Sequence, residues 1–254
     1  QFPRVKVERG KEILRVENLK NSYVDGVSFS LHEGEILGIS GLMGAGRSEL
    51  VKTIYGHLKK DSGKVFIDGE EKNIRSAKEG IECGIAYVSE DRKGVGLLLD
   101  SSIEDNIAYP AMQIKNMFFK KAFGIFNIVD EKAVKENAQE YVKKLEIRCT
   151  SEKQRAQELS GGNQQKVCLA KAFTMNPEVL FVSEPTRGID VGAKKLVLDI
   201  LKEYNAVKGT TIIITSSEIE ELRSVCDRIA IINEGKVAGI LSPKADILEF
   251  GKMM

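Results

Sequence analysis

Two stretches of the chain carry residue types suited to handling a phosphorylated ligand. GLMGAGRS at 41–48 has the spacing G-x-x-x-x-G-[KR]-[ST], follows the apolar run EILGIS and opens a helical pattern. A strand, a tight loop and a helix in that order are what the spacing requires. Glycines let the backbone curl until its N–H groups and the helix N-terminus face an anion. Arg47 supplies a cation for the β- and γ-phosphates, as a planar fork rather than the compact ammonium of lysine. Ser48 offers its hydroxyl to Mg²⁺. The expected phosphate site therefore comprises Gly41, Leu42, Met43, Gly44, Ala45, Gly46, Arg47, Ser48 and Glu49. The second stretch, LFVSEPTRGID at 180–190, is an apolar run ending in Glu184, as a strand does that delivers a carboxylate to a nucleotide. Sites of that kind place another carboxylate immediately before it. Here that residue is Ser183.

Elements to position these groups can be read from the pattern. EILRVENL, GVSFSL, EILGIS and KVFIDG read as strands, since apolar residues alternate with polar ones between Gly-containing turns. VLFV at 179–182, TIIIT at 211–215 and RIAII at 228–232 are buried apolar runs with a helix between successive members. That βαβ alternation predicts a parallel sheet. From about Ser101 to Leu159 the character changes, and DEKAVKENAQEYVKKLEI predicts a helix capped by Asp130, with Val134, Ala138, Tyr141, Val142 and Leu145 on its inner face. With 254 residues, 42% apolar, the chain can bury one sizeable core. A net charge of +1 gives no electrostatic reason to expect nucleic acid or an anionic surface as partner. Cys83, Cys149, Cys168 and Cys226 show no C-x-x-C pairing and read as reduced thiols. No apolar run approaches the ~20 residues that span a bilayer.

LSGGNQQK at 159–166 resembles the signature segment of ABC-transporter ATPases, which begins a helix and presents a serine and backbone N–H groups to a γ-phosphate. The resemblance then extends over nearly the whole chain. GEILGISGLMGAGRSEL, IAYVSEDRKGVGLLLDSSIEDNI, LSGGNQQKVCLAKAF, EPTRGIDVGAKK and ITSSEIEEL are similar to the C-terminal cassette of the two-cassette ATPases of bacterial ribose, xylose and galactose importers, nearest the ribose group. It implies an α/β fold: a P-loop NTPase of the ABC type, with a parallel-sheet core, an antiparallel β subdomain and an inserted helical subdomain. QFPRV resembles the segment joining the two cassettes, so 1–10 is expected to be a linker remnant of a longer polypeptide. The domain is expected over 11–254, with 11–91 and 169–254 as core and 92–168 as the insertion carrying the signature.

Roles follow from the resemblance position by position. Glu184 matches the carboxylate that polarises the attacking water, and Ser217 falls where most such ATPases place a histidine on the γ-phosphate. Ser160, Gly161, Gly162, Asn163 and Gln164 match the signature, and Asp190 the loop that communicates across the cassette interface. Glu90 falls where most place a glutamine that touches Mg²⁺, and Ser48 and Ser183 complete the implied metal shell. Arg47, Glu90 and Ser217 resemble what C-terminal cassettes of the sugar group carry, whereas Ser183 departs even from that group, which has aspartate there. The implied cofactors are ATP and Mg²⁺. The implied activity is ATP hydrolysis coupled to monosaccharide uptake, at the cytoplasmic face of the cell membrane. The implied partners are the N-terminal cassette of the same polypeptide, a membrane permease and, indirectly, a periplasmic sugar-binding protein. With its own site altered, this cassette would complete the partner's site through its signature.

Other readings stay open at the level of sequence. A soluble ABC-type ATPase acting on the ribosome or DNA is disfavoured by the absence of basic runs. A non-hydrolysing regulatory cassette is not. In MFFKKAFGIF at 117–126, Phe118, Phe119, Phe123 and Phe126 would either line a groove for a permease loop or fill the insertion's own small core. Tyr23 is placed either to meet adenine or to pack inside, and His32 and His57 read as surface residues.

Overall fold

In the computed structural model, which describes residues 10–122 and 126–254, the chain divides into two compact units. Residues 1–9 of the expected linker and Phe123 lie outside the described residues. The first unit takes residues up to 85, then 178–184 and 201–254; the second takes 86–177 and 185–200. The insertion expected over 92–168 falls inside the second unit, whose bounds are wider.

In chain order the elements are β1 (Glu12–Lys20), β2 (Asp25–His32), β3 (Ile36–Ser40), α1 (Arg47–Ile54), β4 (Ser62–Ile67), β5 (Glu70–Lys72), α2 (Ala77–Glu82) and β6 (Ile85–Val88). There follow α3 (Ile103–Lys115), β7 (Phe119–Ala122), β8 (Phe126–Val129), α4 (Glu131–Lys144), α5 (Gly161–Thr174), β9 (Val179–Ser183) and α6 (Val191–Lys208). The chain closes with β10 (Thr211–Thr215), α7 (Ile219–Val225), β11 (Arg228–Asn233), β12 (Lys236–Leu241) and α8 (Ile247–Met253).

Within the first unit, β1 alternates so that Leu14, Val16 and Leu19 are buried, and it pairs antiparallel with β2 and β4. The resulting sheet has the order β2-β1-β4-β5. β3, β9 and β10 bury every residue, which is why they read as unbroken apolar runs: a parallel strand is covered on both faces. β10 runs parallel between β3 and β9, and β11 runs parallel on the other side of β3, with β12 antiparallel beyond it. The carboxyl ends of β3, β9 and β10 thus lie side by side. In open α/β sheets that is where ligands are received.

The second unit is built on α3, α4 and α5. Ser102 and Asp130 cap α3 and α4 by accepting from Asp105 N and Ala133 N, the second as the sequence predicts. Ile103, Ile107, Ala138, Tyr141, Leu169 and Phe173 are buried, with the Tyr141 and Phe173 rings tilted at 6.4 Å. Val142, expected on the same face, is only half-buried. The segment expected to be helical also contains a two-stranded antiparallel hairpin, β7–β8. Its aromatic rings do not fill a core: Phe119 and Phe126 are both exposed and Phe118 is half-buried.

Candidate functional site

The phosphate loop grows out of the end of β3. A Cβ on Gly41 would stand 2.2 Å from the Ile232 carbonyl oxygen, and one on Gly46 would stand 2.7 Å from that of Tyr23. Only glycine allows these approaches. Gly44 has φ +82 and nothing within 4 Å of where a Cβ would be, so the loop faces open space at that point. Gly46 precedes α1 in the left-handed conformation and gives that helix no side-chain cap, so an uncapped helix N-terminus opens directly from the loop. Met43 at the crest is 93% exposed.

Glu184, at the end of β9, belongs to the same unit. Its backbone is left-handed, φ +44, and its N–H donates to the Thr215 carbonyl at 2.8 Å. A non-glycine residue held in that region is strained, and the parallel neighbour strand fixes it there. Its carboxylate accepts from Ser217 Oγ at 3.2 Å and lies 3.2 Å from Arg47 Nη1. Sequence reasoning gave Arg47 to phosphate and Glu184 to water. The structure brings the two together as an ion pair whose side chains are about nine-tenths buried. The pair has the distance but not the alignment of a hydrogen bond, and Arg47 Nη1 makes none among the described residues. Ser40 Oγ and Thr215 Oγ1, at the ends of β3 and β10, are also buried without a hydrogen-bond partner there. Buried polar atoms are rarely left so. Three of them around one set of strand ends suit a polar ligand, and the open glycine cradle suits a polyphosphate.

Ser183 is fully buried beside Thr215 in the β9–β10 register. Among the described residues no cluster of three or more His, Cys, Asp or Glu could hold a metal. In the first unit Ser48 and Ser183 are the expected metal residues, and both bring hydroxyls. Such a set fits Mg²⁺ held mainly by phosphates and water, the ion's ordinary habit.

The sequence left Tyr23 open between meeting adenine and packing inside. Its ring is 55% exposed rather than packed, while its carbonyl abuts Gly46 at the loop. Asn21 fixes that turn by accepting from Tyr23 N and Val24 N and donating to Thr53 Oγ1 of α1. His57 is exposed as expected, but His32 is half-buried, with Nδ1 3.4 Å from Glu35 Oε2. Burial pushes the Glu35 carboxyl up. Hydrogen bonds from Arg228 and His32, with the guanidinium charge, outweigh it and hold it below the usual carboxylate range.

The signature residues form a separate arrangement in the second unit. Ser160 precedes α5, and its Oγ accepts from Asn163 Nδ2 at 3.1 Å. Gln164 is buried and donates to the Ala156 carbonyl, so its amide is committed to the fold. Asp190 caps α6 by accepting from Ala193 N at 2.9 Å. Arg92, which carried no role in the sequence reading, donates to the Arg187 carbonyl at 2.9 Å and to Gln165 Oε1 at 3.3 Å. It ties the TRGID loop to the signature helix. Arg92, Gly161, Gln164 and Gly188 line a cleft of about 360 Å³ that also meets Lys93, Gln157 and Leu159. Glu90 is half-buried in this unit.

A glycine cradle at a parallel strand end, with a carboxylate on a neighbouring strand, defines a P-loop nucleotide-binding cassette. The family model described as "ABC transporter" matches residues 24–187, and the chain belongs to that family, an ATPase cassette of the ABC class. It is 45% identical over 243 residues to the ribose import ATP-binding protein RbsA of Clostridium tetani, covering 95% of this chain and 46% of that protein. To the protein of the same name from Caldanaerobacter subterraneus it is 41% identical, covering 95% and 47%. The chain therefore spans about half the length of these curated relatives. Among solved structures, an ATP-binding cassette captured as a dimer with ADP and phosphate superposes at a TM-score of 0.76 and 22% identity, over 92% of this chain and all of that one. The cbiO1 subunit of an ABC transporter complex from Clostridium perfringens gives 0.75 and 25%, over 93% and 90%.

Proposed function

We propose that this chain is the C-terminal cassette of a two-cassette sugar importer motor, ribose being the favoured substrate, and that its two halves of catalytic apparatus serve different sites. The loop at 41–48 holds Mg·ATP with little turnover, Tyr23 lies against the adenine, and Ser48 and Ser183 meet the metal shell through hydroxyl and water. The signature at 160–164 completes the hydrolytic site of the N-terminal cassette. The assembly works against a membrane permease on the cytoplasmic face, fed by a periplasmic sugar-binding protein.

The observation that carries this reading is the Arg47–Glu184 pair. A base that polarises water needs its carboxylate free, and here a guanidinium faces it, while Ser183 removes a negative charge from the expected metal shell. The test is a pair of substitutions in the full-length, permease-bound protein. Gly162→Asp should nearly abolish hydrolysis and transport, since it sets bulk and charge against the partner's γ-phosphate. Glu184→Gln should leave much of both. If Glu184→Gln is the more damaging change, the unequal-site reading fails. A non-hydrolysing regulatory role would show instead as ATP binding with no loss of turnover in either variant.

A further inference from the structure

The β7–β8 hairpin belongs to no other sheet, and its register decides what could cover it. Phe119 pairs with Val129 and Lys121 with Asn127, so these four share one face; Lys120 pairs with Ile128, and Phe126 follows on the opposite face. Each face therefore carries two exposed apolar side chains and one lysine. A protein groove buries one face of a ribbon and leaves the other wet. Exposed apolar groups on both faces are covered only by a medium that surrounds the hairpin. The charge has a matching sense: between Asn116 and Asp130 the sequence holds two lysines and no carboxylate. Lys120 reaches Asp130 at 3.5 Å, and Lys121 has no ion-pair partner among the described residues. Lysine stems lie along apolar surface while their ammonium groups stay in water or against phosphate.

We propose that this hairpin is a membrane-interface element, entering the headgroup region of an anionic bilayer with Phe119, Phe126, Ile128 and Val129 among the acyl boundary and Lys120 and Lys121 on lipid phosphates. The site is independent of the nucleotide site, so the reading does not need ATP. A chain without tryptophan gives a clean probe. Phe126→Trp and Phe119→Trp place one indole on each face, and fluorescence is read on titration with phosphatidylglycerol vesicles and with phosphatidylcholine vesicles. Both indoles should shift to the blue on the anionic vesicles, much less on the neutral ones. Added salt should weaken the binding, because headgroup attraction is screened. Lys120→Gln with Lys121→Gln should weaken it about thirtyfold, taking each lysine at about 1 kcal/mol near an anionic surface. Every variant is exposed in the hairpin, so an unfolding midpoint equal to the parent's identifies a folded sample. No shift on anionic vesicles overturns the proposal. So does a shift of one indole only, which means a one-sided groove, and so does a shift that needs added permease.

Discussion

If Arg47 is held by Glu184 in the nucleotide-free chain, removing the charge at 184 should tighten nucleotide binding, and only while Arg47 is present. At 3.2 Å the pair has a gross attraction of about 5 kcal/mol at an effective dielectric of about 20. Most of that is offset by desolvation, and hydrogen bonds to charged groups are worth only about 1.5–3 kcal/mol net. Glutamine keeps an acceptor, so Glu184→Gln should free roughly 1 kcal/mol, a gain of about fivefold in affinity. The assay is calorimetric titration with a non-hydrolysable ATP analogue, so that blocked turnover adds nothing to the apparent affinity. A competing cause is simple repulsion between Glu184 and the phosphates, which would also give tighter binding. The two separate in the Arg47→Met background. Release of the guanidinium predicts that the gain disappears there, whereas repulsion predicts that it persists. A gain of equal size in both backgrounds, within the roughly 0.3–0.5 kcal/mol of ordinary additivity, refutes the latch.

Three further outcomes are expected. Gly41→Ala should abolish nucleotide binding and lower the unfolding midpoint, because its methyl would meet the Ile232 carbonyl at 2.2 Å; unchanged binding by titration would contradict the cradle geometry. Arg228→Met should cost about 3 kcal/mol of stability at neutral pH by stranding the buried Glu35 carboxylate. Since the native Glu35 value is depressed, its contribution is present above the ordinary glutamate range and lost as pH falls through the native value. The gap in urea midpoint between wild type and variant should therefore narrow on acidification, and a gap that stays constant would remove Glu35 from the account. Ser183→Asp should lower stability in chelator, because it buries a carboxylate at a fully enclosed position, and should strengthen Mg²⁺-dependent nucleotide binding. Equal affinity with and without Mg²⁺ would place residue 183 outside the metal shell.

How much of this could be read beforehand depended on sequence distance. The glycine loop was legible because its spacing falls within one strand–loop–helix unit, although the backbones that Gly41 and Gly46 approach, at Ile232 and Tyr23, lie outside that unit. The parallel core was legible because β3, β9 and β10, buried on both faces, leave no polar residue to break their apolar runs. The hairpin was not, for the converse reason. Its strands expose both faces, so no alternation marks them, and the phenylalanines suggested either a groove or a small core. Glu35 and Arg228 are 193 positions apart, and nothing local signals their pairing. Arg92 meets Gln165 and the Arg187 carbonyl only because three distant segments converge in the second unit.

The pairing of Arg47 with Glu184 shows how substitutions that look independent in the sequence can act together. An arginine in the phosphate loop has a longer reach than a lysine and a fork that suits a carboxylate. Ser183 lowers the negative charge beside Glu184, leaving fewer anions to share with a cation. Among the described residues the strand-end hydroxyls of Ser40 and Thr215 are buried without hydrogen-bond partners, which suits a polar ligand there. Ser217 donates to the same carboxylate that the guanidinium faces, holding Glu184 in one orientation. On the proposed reading, each change would move the site from activating water toward retaining charge. The signature residues of the second unit show no parallel alteration, and that asymmetry within one chain is the physical reason to expect unequal sites.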